Sequence, residues 1–239
     1  MDKSSRMLFN CLLLLLFVFF SLTMCKASES CAPSGGESQL FKKKYTFSAK
    51  WFLQNIPTWK KILKNFKGKP DVHYLEIGLF EGCSFFWMLE NIITHPSSTA
   101  TGIDPFPKPK VEKVFMSNLE LSGFKNKVKI LKTWSQQVLR KFPDNSFDII
   151  YIDGDHSAAG VLVNAIFCWP LLKQGGLLIF DDYLWHNDDD KKPPTGTPKI
   201  AIDAFLTSLK LQTEVVIKSY QVIIRKKRVL YWEKTENTK

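Results

Sequence analysis

Cysteine is scarce in this chain, with five among 239 residues. Cys11 and Cys25 lie in an apolar N-terminal stretch, leaving Cys31, Cys83 and Cys168 widely separated. An odd, scattered set of this kind excludes a disulfide framework, and Cys83 and Cys168 read as small core residues. The glycine pattern GxGxxG is absent, and with it the usual dinucleotide spacing. No internal repeat is present, which excludes a solenoid or propeller. Phe and Trp are abundant, at 19 and 7, but they do not interleave with the basic runs as in nucleic-acid-binding segments.

Long apolar runs are also missing, with one exception. Lys3 and Arg6 precede a largely apolar run from about Leu8 to Met24, and Cys25-Lys26-Ala27 follows as a small-x-small site. This is the plan of a secretory signal peptide, and its length also suits an uncleaved signal anchor. Residues 1–27 are therefore set apart, with a secretory-pathway address as the expectation. Residues 28–44, rich in Ser, Gly and Lys, read as a linker, and 45–239 as a single domain.

Positive charge dominates, with 33 Lys and Arg against 23 Asp and Glu. The basic residues are scattered over Lys42–Lys44, Lys60 to Lys69, Lys108 to Lys113 and Arg225 to Arg228. A solvated surface accounts for them, and a polyanionic glycan, membrane surface or nucleic acid is the alternative.

The body of the domain alternates. Residues 47–66 suggest two short helices interrupted at Pro57. Apolar runs at 72–78, 99–104, 127–132, 147–153 and 176–182 read as strands, with helices at 81–94, 111–123, 135–142, 157–173 and 199–210. Short βα connections predict an α/β fold: a doubly wound, mostly parallel sheet with helices on both faces. Residues 214–226 add an antiparallel hairpin at the sheet edge. The polar, Pro-rich stretch 186–198 reads as a loop, and its Asp188–Asp190 triplet as solvated sequence.

Polar chemistry collects where those strands end. In LEIGLFEGCS (75–84), Gly78 and Gly82 turn the chain from strand to helix, where the backbone can approach an anionic ligand. Asp104, at the end of the next strand, lies 28 residues after Glu76 and suits the two hydroxyls of a ribose. YIDGDHS (151–157) supplies Asp153, Asp155 and His156, and FDDYLW (180–185) supplies Asp181 and Asp182. Carboxylates and an imidazole at two strand mouths suit a divalent cation and a general base. Taken singly, each stretch could also be an ordinary turn or helix cap.

LEIGLFEGCS, TGIDPFP (101–107), YIDGDHS and GGLLIFDDY (175–183), in that order, resemble the class I S-adenosylmethionine-dependent methyltransferases, nearest to the metal-dependent sugar O-methyltransferases of the macrocin and mycinose type. The resemblance covers about residues 47–228. It implies that Glu76, Gly78, Gly82 and Ser84 frame the methionine end of S-adenosylmethionine. It also implies that Asp104 holds the ribose and that Trp134 and Ser135 flank the adenine. Asp153, Asp181 and Asp182 would ligate Mg2+ or another divalent cation, with His156 as the base and Asp155 without a role. Tyr183 and His186 are further candidates for substrate contact, whereas His73 and His95 read as structural. The acceptor would be a hydroxylated small molecule or glycan, and oligomeric state is left open. Two other readings stand beside this one. Asp153-x-Asp155 also fits a luminal metal-dependent glycosyltransferase, and a non-catalytic methyltransferase-like binding protein would keep the fold alone.

Overall fold

The computed structural model describes residues 44–185 and 197–227. The expected signal segment, almost all of the linker, most of the 186–198 loop with its Asp triplet and His186, and Arg228 lie outside those residues. Among the described residues, no helix is long and apolar enough to cross a membrane.

A 3-10 turn, Trp51–Asn55, runs directly into helix α1, Ile56–Ile62. The two short helical segments change over beside Pro57, which sits in the first turn of the second, where its missing N–H costs nothing. Strand β1 (His73–Ile77) leads to α2 (Cys83–Asn91), β2 (Thr99–Ile103), α3 (Pro109–Ser122) and β3 (Val128–Leu131). Strand β4 (Phe147–Ile152) follows, then α4 (Ala158–Leu171) and β5 (Leu172–Phe180). The chain closes with α5 (Pro198–Ser208), β6 (Thr213–Lys218) and β7 (Val222–Lys226). The helix expected at 135–142 is two 3-10 turns, Ser135–Gln137 and Leu139–Lys141. The stretch leaves helical geometry at Val138, which has φ −125° and ψ −24°.

The seven strands form one sheet in the order β3-β2-β1-β4-β5-β7-β6. The first five run parallel, and β7 and β6 close the sheet as an antiparallel hairpin. β1, β4 and β5 are nearly continuous in Leu, Ile, Tyr and Phe because helices cover both faces. Fully buried side chains such as Leu75, Ile150, Leu178 and Phe180 each contribute about 1.5–3 kcal/mol relative to exposure. Cys168 is buried in this core, as expected, and burial pushes its thiol well above the ordinary range.

Strand register decides what meets at the C-terminal edge. Ile103, Ile77, Ile152 and Phe180 are paired at one level across β2, β1, β4 and β5. The residues that follow continue the ladder by one hydrogen bond each. Gly78 N donates to Ile103 O at 2.9 Å, Asp153 N to Ile77 O at 2.8 Å, and Asp181 N to Ile152 O at 3.1 Å. Asp104, Gly78, Asp153 and Asp181 thus stand in a row where strand order reverses between β1 and β4, the place where such sheets bind ligands. β7 runs the opposite way, and Val222 pairs with Phe180. The turn before it, Ser219–Gln221, therefore opens onto the same edge.

Candidate active site

That edge forms the floor of a cleft of about 970 Å³, lined among others by Gly78, Phe80, Asp104, Trp134, Asp153 and Trp185. A cleft of this size is large enough for a nucleoside-sized ligand and a second small molecule.

Gly78 joins its two halves. Its φ is +87°, and a methyl group there would sit 2.0 Å from the Asp153 carbonyl oxygen. Only glycine allows the β1 turn and the β4 end to touch. Gly82 serves packing instead: it caps α2 at φ +88°, and a Cβ would fall 2.3 Å from the Phe86 ring. Glu76, expected beside the ligand, is fully buried beneath the floor. Tyr74 Oη donates to one of its oxygens at 2.5 Å, and Ser84 Oγ donates to the other. Burial pushes the Glu76 carboxyl up to about 8, against the pull of those two hydrogen bonds. Ser84 lines the cleft and links Glu76 to it.

Asp104 is nearly buried at the cleft wall. Its Oδ2 accepts from Leu79 N at 2.8 Å and Phe80 N at 3.1 Å, and its Oδ1 from Phe106 N at 2.6 Å. One carboxylate therefore anchors two loops and retains acceptor capacity toward the cleft, about four sites in all. Trp134 is 56% exposed and lines the cleft, and Ser135 next to it in sequence donates to Asn164 at 2.6 Å. Both suit an aromatic base.

At the other end, Asp153, His156 and Asp182 each place a ligand atom within 4.8 Å of the others. His156 Nε2 is 3.2 Å from Asp182 Oδ2 and 4.0 Å from Asp153 Oδ1, and Trp185 meets the imidazole edge-on with centroids 5.2 Å apart. Asp182 has a left-handed φ of 58°, an uncommon conformation for a residue other than glycine. Asp181, expected as a ligand, is not part of this group. Its Oδ2 accepts from Tyr151 Oη and, at 3.2 Å, from Gln221 Nε2, while its Oδ1 accepts the Asp182 N–H at 2.8 Å. These donors occupy both of its oxygens, while the residue still lines the cleft. Asp155 folds back on α4, accepting from Ser157 N at 2.8 Å, so its place is a helix start, outside the group formed by Asp153, His156 and Asp182. Tyr183 is likewise directed away from the cleft: its hydroxyl donates to Asp203, and Lys199 and Lys218 lie over its ring.

Burial, with the neighbouring charges of Asp181 and Asp182, pushes Asp153 well above the ordinary carboxylate range, and burial raises Asp181. Among the described residues, no lysine or arginine pairs with Asp153, Asp181 or Asp182. Tyr151 Oη contacts both Asp153 (3.0 Å) and Asp181, yet it has one proton to give. A divalent cation fits this donor set, because it supplies the positive charge that these acids lack.

Residues 75–183 match the family model described as a methyltransferase domain. An uncharacterized protein of Acanthamoeba polyphaga mimivirus is 32% identical over 127 residues, covering 51% of this chain. The chain spans 56% of the length of that relative. Among solved structures, a Corynebacterium glutamicum protein aligns with a TM-score of 0.58 at 16% identity, covering 90% of this chain and 99% of that one. The MycE methyltransferase of the mycinamycin biosynthetic pathway, in complex with Mg and SAH, aligns at 0.55 and 18% identity over 80% of this chain and 53% of its own. An O-methyltransferase from Bacillus cereus in complex with SAH aligns at 0.52 and 18% identity, over 71% and 81% respectively. The fold is that of the Rossmann-like methyltransferases, with the expected antiparallel hairpin.

Proposed function

We propose that this chain is an S-adenosylmethionine-dependent O-methyltransferase that uses a divalent cation to methylate a hydroxyl of a sugar, glycan or small molecule. The observation that carries the proposal is the single edge on which Asp104, Gly78 and Asp153 stand side by side, so that a nucleoside end and a proton-accepting end share one cleft. The resident groups of the MycE complex, Mg and SAH, support the same pairing.

Asp104 would accept from the ribose, and Trp134 would stack on the adenine. Asp153 and Asp182 would hold the cation. When bound, it supplies the positive charge that makes a neutral hydroxyl more acidic. His156, at the mouth of the cleft, takes the hydroxyl proton. Gly78 and Ser84 keep the donor end against that site, and close positioning of methyl and oxygen supplies much of the rate. Trp185 walls the imidazole from solvent on one side. The apolar N-terminal segment would carry the protein into the secretory pathway, where the acceptor would be met.

Titration calorimetry with S-adenosylhomocysteine and with nucleotide sugars tests the assignment. Binding of S-adenosylhomocysteine alone supports it, and binding of a nucleotide sugar alone contradicts it.

A further inference from the structure

Gln221 is 3% exposed in the turn just before β7. Trp59, fully buried on α1, donates its indole N–H to Gln221 Oε1 at 2.8 Å. Indole nitrogen can only donate, so the atom facing it must be the amide oxygen. The amide NH2 is thereby directed at Asp181 Oδ2, 3.2 Å away. Trp59 also packs edge-on against Tyr151, with centroids 4.9 Å apart, and so braces the second donor to the same oxygen.

We propose that Gln221, oriented by Trp59, is a positioning residue that holds Asp181 facing Tyr151. This role rests on the cation site proposed above. With Asp181 so held, the single Tyr151 proton is committed to Asp181, and Asp153 is left to face His156 and Asp182. The two elements responsible are distant in sequence: the Trp59–Gln221 contact spans 162 residues. It ties the N-terminal helix to the acidic edge through one amide. Gln221→Leu removes both hydrogen bonds. Gln221→Glu still accepts from Trp59 but places an oxygen, not an N–H, against Asp181.

The test is Mn2+ binding to the unliganded protein by calorimetry, together with the melting temperature and the affinity for S-adenosylhomocysteine. Both Gln221 variants should weaken Mn2+ binding by several-fold, less than the roughly 10–100-fold lost with a direct hydrogen-bond partner of a metal ligand, with S-adenosylhomocysteine affinity unchanged. Trp59→Phe keeps the ring on Tyr151 but frees the amide to flip, and should weaken Mn2+ in the same direction; it is the arm that does not depend on the fold tolerating a change at 221. Variants that melt lower but bind Mn2+ like the wild type would reduce Gln221 to a packing residue and overturn the role alone. A wild-type protein that binds no Mn2+ would overturn the role and the cation site together.

Discussion

His156 Nε2 lies 3.2 Å from Asp182 Oδ2, which joins the loop after β4 to the end of β5 across the mouth of the cleft. This contact puts the proposed base beside a proposed ligand. His156→Ala should lower turnover by about 10²–10⁴-fold, the usual worth of a general base. S-adenosylhomocysteine and Mn2+ binding should stay close to wild type, both measured by calorimetry. Loss of Mn2+ binding in this variant would make His156 a ligand and leave the base unassigned.

Asp104 anchors the turns at Leu79, Phe80 and Phe106 and faces the cleft. Asp104→Asn keeps the size but removes the charge. It should weaken S-adenosylhomocysteine by roughly 10–100-fold, the range expected for hydrogen bonds to a charged group. Equal affinity in mutant and wild type would remove Asp104 from the ligand site.

Gly78→Ala combines a left-handed φ with a Cβ driven onto the Asp153 carbonyl. The expected cost is roughly 3 kcal/mol, the sum of backbone strain and displacement of the β4 end. In a domain of this size that is a fall in melting temperature of roughly 6–12 °C. A variant melting like the wild type would show that the two strand ends separate freely.

Glu76 gives a dependence on pH. Its carboxyl stays protonated in the fold up to about pH 8, whereas an ordinary glutamate ionises near 4.5. Between those values the folded state binds a proton that the unfolded chain has lost, so stability falls as pH rises from about 4.5 to about 8 and levels off above. Asp153 and Asp181 are raised as well and act in the same direction. The comparison is therefore with Glu76→Gln, whose stability should decline less steeply across that window in urea titrations. Parallel declines would place an ionised Glu76 in the core.

Much of this architecture was legible in the chain. The alternation of apolar runs with helical segments revealed the parallel sheet, because strands buried on both faces leave no polar side to obscure them. The strand-end acids could be placed for the same reason, since each directly follows such a run. Tyr151 was hidden within one of those runs, where it reads as one more large core residue. Gln221 was hidden differently. It reaches Asp181 only because β7 inserts antiparallel beside β5, and no local pattern announces that pairing. Trp59 reads as core and is core, and its N–H gains a role only from that same pairing. The engagement of Asp181 by Tyr151 and Gln221 could not be read from Asp181-Asp182, since neighbouring residues leave a strand end in different directions.

The most direct test is transfer of labelled methyl from S-adenosylmethionine to a panel of glycans and vicinal diols, with Mg2+ and with EDTA. Transfer to a hydroxyl that requires Mg2+ and collapses in EDTA is the predicted result. Full transfer in EDTA would contradict the role given to Asp153 and Asp182, and absence of transfer to every acceptor would contradict the methyltransferase itself.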